Sequence, residues 1–120
     1  MKQRVKTVSY LVKAEFEFKT GVYDLVALPT GAEVVKVSLE VVGNPTAGGS
    51  VSVGFKDETT KEYFLKLENI STNKNATSAK DYTATSSKVV VAEVKNAKET
   101  DIKGVLRVVY FLPSETEVEY

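Results

Sequence analysis

The chain has 120 residues, and its 16 Lys and Arg against 16 Asp and Glu leave a formal net charge of +0. A chain of this length fills one domain, spanning residues 1–120, without a metal or disulfide staple, and its balanced charge supplies no field to draw in nucleic acid or an anionic membrane. It has no histidine and no cysteine, which excludes Ser-His-Asp and Cys-His catalysis and any zinc site built on imidazole or thiolate.

The first residues, Lys2, Arg4 and Lys6, form a basic arm over 1–7. No apolar run of signal-peptide or membrane-span length follows, so synthesis in the cytoplasm is expected. From Val8 the apolar side chains recur at period two, with Val8, Tyr10, Val12, Ala14, Phe16 and Phe18 on one face and mostly Ser9, Lys13, Glu15 and Glu17 on the other. That alternation predicts a half-buried strand. Lys19-Thr20-Gly21 breaks it, a strand over Val22–Leu28 follows, and Pro29-Thr30-Gly31 turns the chain. In the next strand Val35, Val37, Leu39 and Val41 share a face. Gly43 to Ser50 is rich in turn formers, and Val51, Val53 and Phe55 resume the alternation.

A strand is expected over Tyr63–Leu67. The stretch 69–87 is dominated by Ser, Thr, Asn, Ala and Lys, and is expected to be a polar surface excursion with room for a short edge strand near Tyr82–Thr85 and a helical turn near Thr77–Lys80. Lys88–Val94 and Val105–Leu112 are the last strands, before an acidic tail over 113–120. With no amphipathic helix between strands, the pattern predicts an all-β antiparallel sandwich of about seven or eight strands. The final strand departs from alternation. Leu106, Val108, Tyr110 and Leu112 on one face are matched by Val105, Val109 and Phe111 on the other, so both faces need cover, from a loop or from another subunit. Val105, Arg107, Val109 and Phe111 are the candidate self-association residues.

The remaining motifs favour plain structural roles. Ser71 and Lys74 have Ser-x-x-Lys spacing, but in a polar loop rather than on a helix facing a cleft. Asp57, Glu58 and Glu62 lack the spacing of a calcium loop and read as a charged turn. Glu115, Glu117 and Glu119 read as a solvated end, and Lys2, Arg4 and Lys6, with no interleaved aromatics, as a solubilising terminus. Gly48-Gly49 lacks the downstream Lys and helix of a phosphate loop. The sequons at Asn69 and Asn75 lack a secretory signal. Tyr63, Tyr82, Tyr110 and Tyr120 are candidates for a sugar-stacking platform, so a carbohydrate-binding sandwich is the alternative function, although packing is the commoner use of such rings. No catalytic, metal or cofactor site is expected.

Thr20-Gly21-Val22-Tyr23-Asp24-Leu25, then Leu28-Pro29-Thr30-Gly31-Ala32-Glu33-Val34, then Val51-Ser52-Val53-Gly54 and the closing Gly104-Val105-Leu106-Arg107-Val108-Val109-Tyr110 resemble small structural proteins of tailed bacteriophages, over roughly Thr20 to Leu112. The resemblance implies a jelly-roll-like fold and a non-enzymatic virion component, a capsid-decoration or head-surface protein. It further implies a homotrimer whose partners are the major capsid protein or other virion proteins. The 69–87 excursion and the acidic tail depart from that pattern.

Overall fold

The computed structural model describes all 120 residues. Eleven strands follow one another without a helix: β1 (Lys2–Val5), β2 (Ser9–Glu17), β3 (Gly21–Leu28), β4 (Glu33–Val42), β5 (Ser50–Phe55), β6 (Leu65–Glu68), β7 (Asn75–Ser78), β8 (Tyr82–Thr83), β9 (Lys88–Lys95), β10 (Lys103–Phe111) and β11 (Thr116–Glu119). A five-stranded sheet of order β2-β10-β4-β7, with β8 also on β4, stacks on a four-stranded sheet of order β3-β9-β5-β6, and β1 pairs with β11 separately. All pairings are antiparallel. The expected sandwich is present, with short extra strands supplied by the two termini and the polar excursion.

Period-two alternation delivers the core. Val37, Leu39, Leu106 and Val108 of one sheet and Val51, Val53, Val90 and Val94 of the other are at most 2% exposed and belong to one cluster of 24 buried residues. Each such side chain contributes about 1.5–3 kcal/mol relative to exposure. Two bulges interrupt the alternation. Val109 pairs with Lys36 but Tyr110 with Val34, so Val35 is an extra residue on β4; Leu25 is likewise extra between Asp24 and Val26 on β3. The bulge corrects the expected face of β4: Val34 is fully buried and Val35 only half so. It shifts the parity of the strand by one residue.

Two further expectations need correction. The core face of β2 is confined to its second half. Phe16 and Phe18 are buried, Val12 and Ala14 half-buried, and Val8 and Tyr10 are 41% and 48% exposed, because β2 is an edge strand whose first half lies toward the arm described below. The excursion contains no helical turn over Thr77–Lys80. Asn75–Ser78 and Tyr82–Thr83 are strands bonded to β4, since β4 offers a free edge whose backbone groups need partners. They widen the sheet in its plane.

Glycine at 104 is a steric requirement. A Cβ there would run into the Phe16 ring, which sits opposite on β2.

The ladder between β2 and β10 continues, after a break over 6–8 and 112–115, into the ladder between β1 and β11. The stretch Lys2–Glu17 at about 3.3 Å per residue spans about 50 Å, which accounts for the long axis of a 55 × 25 × 17 Å molecule. The radius of gyration, 16.1 Å, exceeds the roughly 14 Å of a compact chain of this length, and the accessible surface, 6842 Å², exceeds the roughly 6,400 Å² expected for its mass. The excess reflects a projecting two-stranded arm. At its root Gly31, at φ 86°, leaves room for Pro113, whose Cβ would lie 2.8 Å from a side chain at 31. Complementary charge holds the arm: Lys6 Nζ lies 2.6 Å from Glu115 Oε1 and Lys2 Nζ 3.7 Å from Glu117 Oε1. The Lys6 hydrogen bond and charge hold the Glu115 carboxyl below its usual range.

Within the body, Glu99 ties two loops together. One carboxylate oxygen accepts hydrogen bonds from the Thr46 amide (2.8 Å), the Thr46 hydroxyl (2.5 Å) and the Ala47 amide (2.7 Å). These bonds, the hydroxyl's first, hold its pKa below the ordinary glutamate value.

Two predictions follow from packing and charge. Gly104→Ala is expected to cost about 1–3 kcal/mol by overpacking, with partial recovery in the Gly104→Ala, Phe16→Leu double variant; urea denaturation measures both, and an unchanged midpoint in the single variant would refute the close approach. Glu99 is a depressed carboxylate, so its stabilisation is present above its unfolded-state pKa and is lost as pH falls through the folded-state value. With no histidine to titrate, the melting temperature is expected to stay level from about pH 8 to 5 and fall below about 4.5. Glu99→Gln lowers the neutral plateau and shallows the acid limb, which thermal melts across pH would reveal.

Candidate interaction surface

The outward face of the five-stranded sheet is laid out in rows across β2, β10 and β4. Glu15, Val105 and Glu40 form one row; Lys13, Arg107 and Ser38 the next; Leu11, Val109 and Lys36 the third; Ser9, Phe111 and Glu33 the last. Val105 is 5% exposed and Leu11 64%, while Arg107, Val109 and Phe111 are half-buried. Val105 is screened within the chain; Leu11, Val109 and Phe111 leave apolar surface open. Arg107 Nη1 reaches Glu40 Oε1 at 3.2 Å, and Thr83 donates to Glu33 Oε2 at 2.7 Å. An apolar centre with a rim of both charge signs suits contact with another protein surface.

The four residues expected from sequence therefore share one face of one strand. Leu11 was missed because its strand was read as wet on the odd positions. The signal was there: it is the apolar residue among Ser9, Lys13, Glu15 and Glu17. The pairing of the two termini was missed as well, although basic residues at 2, 4 and 6 and acidic residues at 115, 117 and 119 are the alternation that an antiparallel pair of opposite charge produces.

The remaining candidates are occupied by structural contacts. Ser71 donates to Asn69 Oδ1 at 2.5 Å, inside a tight turn where the Thr72 and Asn73 amides bond the Asn69 carbonyl; the hydroxyl is not directed to Lys74. Asp57 pairs with Lys88 at 2.5 Å and Glu62 with Lys66 at 3.0 Å, and Glu58 accepts from the Phe55 amide at 2.7 Å. The Lys88 hydrogen bond lowers the Asp57 pKa, and its counterpart raises that of Lys88. The three acids thus close a loop over Gly54, where a Cβ would meet Glu58 Oε1 at 2.6 Å. No group of three or more acidic side chains is placed to hold a metal ion.

The four tyrosines do not converge on one platform. Tyr63 and Tyr82 pack on Phe55 with ring centroids 5.1 and 4.6 Å away, and Lys80 Nζ caps the Tyr63 ring at 3.7 Å. Tyr110 is buried and meets Tyr10 edge-on at 5.7 Å, whereas Tyr120 stands exposed at the arm's tip. The rings of Tyr63, Tyr82 and Tyr110 serve packing. The most enclosed depression, about 220 Å³, is bordered by Glu17, Lys19, Asp101 and Lys103, smaller than a typical small-molecule pocket, and the larger ones are shallow and open.

No protein-family model and no curated protein matches the chain. Among solved structures, a chain of the acid-stable capsid of Helicobacter pylori bacteriophage KHP30 is 71% identical, superposes with a TM-score of 0.96, and aligns over 100% of both chains. A chain of the capsid asymmetric unit of cyanophage Pam1 has a TM-score of 0.69 at 22% identity, over 88% of this chain and 85% of that one, and shares the fold. With full-length identity of that order and an all-β body, the chain belongs to a family of bacteriophage virion structural proteins.

Proposed function

We propose that the protein is a non-enzymatic capsid-decoration or head-surface protein that works as a homotrimer seated on the major capsid protein. The observation that carries this reading is the full-length, 71% identity to a chain of a phage capsid structure. A decoration role also suits the shape. The body is stapled by loops and ion pairs into a rigid sandwich, and the chemistry-bearing side chains are spent on internal contacts rather than gathered around a cleft.

Self-association is assigned to the outward face of β10, through Arg107, Val109 and Phe111 with Val105 beneath them, joined by Leu11 of β2. Leaving Val109 and Phe111 half in water forgoes part of about 1.5–3 kcal/mol for each side chain. Covering them against the same surface of another copy recovers it. The sign-mixed rim of Lys13, Glu15, Lys36, Glu40 and Arg107 sets orientation and rejects misaligned contacts.

The test is Val109→Asp. Because Val109 is half-buried on the outer face and lies outside the core cluster, the variant is expected to stay folded, with a melting temperature within a few degrees of the parent, while the oligomer dissociates because a charged carboxylate replaces the apolar centre of the contact. Light scattering after gel filtration reads the assembly. A parent that is monomeric at high micromolar concentration refutes self-association, and a stable dimer refutes the trimer alone. Co-sedimentation with undecorated heads reads the decoration role separately: saturable binding is expected, and no binding refutes it.

A further inference from the structure

A strand at the end of a sheet leaves a row of backbone groups without partners, and proteins guard such edges with bulges, proline or brevity. β3 carries a bulge at Leu25, and β6, β7 and β8 are only two to four residues long. β2 has none of these guards. It runs for nine residues in unbroken register with β10, without proline or glycine. Hydrogen bonds at the two ends of that ladder fix which way each residue points. The Leu112 amide donates to the Val8 carbonyl and the Phe18 amide to the Ile102 carbonyl, so the even residues of β2 bond β10, while Ser9, Leu11, Lys13 and Glu15 turn N–H and C=O to the open edge. No strand pairs there, and Val12 and Ala14 stand half-buried along it.

The charges on this edge are also unmatched. Glu17 pairs with Lys19 and Arg107 with Glu40, but Lys13 and Glu15 form no ion pair within the chain. Lys13 lies directly opposite Arg107 on β10, a like-charge neighbour that an acid on the other side would offset. Backbone parity and charge together select one register for a copy of the same edge. An antiparallel pair must join outward-pointing odd residues to odd residues. Centred on Lys13, it would set lysine against lysine; centred on Val12, it would set Lys13 against Leu11. Centred on Ala14, it sets Lys13 against Glu15 of the second copy and, by symmetry, Glu15 against its Lys13.

We propose that the open edge of β2 pairs antiparallel with β2 of a second copy across a two-fold axis at Ala14, joining the two larger sheets into one. The edge is complementary to itself in that register alone, and this selects a second copy. A two-fold contact cannot close a ring of three, so it links one trimer to the next and is separate from the contact assigned above to the outward face of β10.

With no native cysteine, any inter-chain disulfide must come from an introduced thiol. Ala14 and its copy form a non-hydrogen-bonded pair about 4.5 Å apart between Cα atoms, inside the roughly 4.4–6.8 Å that a disulfide bridges. Val12 and its copy are offset by about 13 Å along the strands. Under mild oxidant, purified Ala14→Cys is expected to give a band near twice the 13.1 kDa chain mass, at several-fold higher yield than Val12→Cys or than Val42→Cys, an exposed position on another strand. Adding Lys13→Glu or Glu15→Lys to Ala14→Cys is expected to lower the yield several-fold, and adding both to restore it, since the swapped charges still match across the axis. An Ala14→Cys yield no higher than that of Val42→Cys, or no recovery in the double swap, would overturn the proposal. If Ala14→Cys melts lower than the parent, hydrogen exchange of the parent reads the same contact: the Leu11, Lys13 and Glu15 amides are expected to gain protection as concentration rises, and concentration-independent exchange overturns it. Protection of those amides on virions, without a cross-link or concentration dependence in the purified protein, assigns the edge to a strand of another virion protein and overturns the second copy.

Discussion

The antiparallel ladder of β2 against β10, continued by β1 against β11, is the constraint on which the rest of the molecule depends. It sets the long axis, joins the two ends of the chain, and places β10 at the centre of the larger sheet, with β2 on one side and β4 on the other. A central strand must satisfy two faces. The inner one does so within the chain, where Leu106 and Val108 are fully buried against the second sheet, and Gly104 gives up its side chain so that the Phe16 ring can lie across it. The outer one is completed only in part, because the neighbouring strands set Leu11 and Lys36 beside Val109 rather than a covering layer.

Much of this was legible in the sequence, for an identifiable reason. Where one sheet face is buried and the other less so, alternation reports the register directly, and β4 could be drawn from it to within a few residues, whereas β5 and β9 are buried on both faces along most of their length and were drawn from their apolar residues and flanking turns. It fails where a single residue shifts parity. Val35 looked like core because the count of two continued through it, and only the pairing of Val109 with Lys36 and Tyr110 with Val34 reveals the bulge. It also fails where strand formation depends on a distant partner. Nothing local marks Asn75–Ser78 as a strand; the free edge of β4 recruits it. The same holds for β1 and β11, whose complementary charges are a signal visible only when the two ends of the chain are read side by side.

The proposed interaction surface was legible through an exception rather than a motif. Valines at 105 and 109 with Phe111 break the alternation of an otherwise amphipathic strand, and that departure identified the face. Candidate chemistry failed for a physical reason as well. Ser71, Asp57, Glu58, Glu62 and the tyrosines occur in suggestive groupings, yet each is committed to a turn, a loop closure or a packed ring, and a polar group satisfied internally is not free to act on a substrate. Every buried side-chain nitrogen and oxygen has its partner. Of the seven large apolar side chains that stand exposed, Met1, Val8, Tyr10, Leu11 and Tyr120 lie along the ladder or at its projecting end.

Hydrogen exchange of the protein on assembled virions, compared with the free chain at the same pH, tests this account most directly. The buried strands β4, β5 and β9 are expected to be protected in both states, while the amides along the open edge of β2 gain protection on the particle by at least an order of magnitude. Equal exchange of β2 in the two states, with new protection confined to other surfaces of the sandwich, would contradict it.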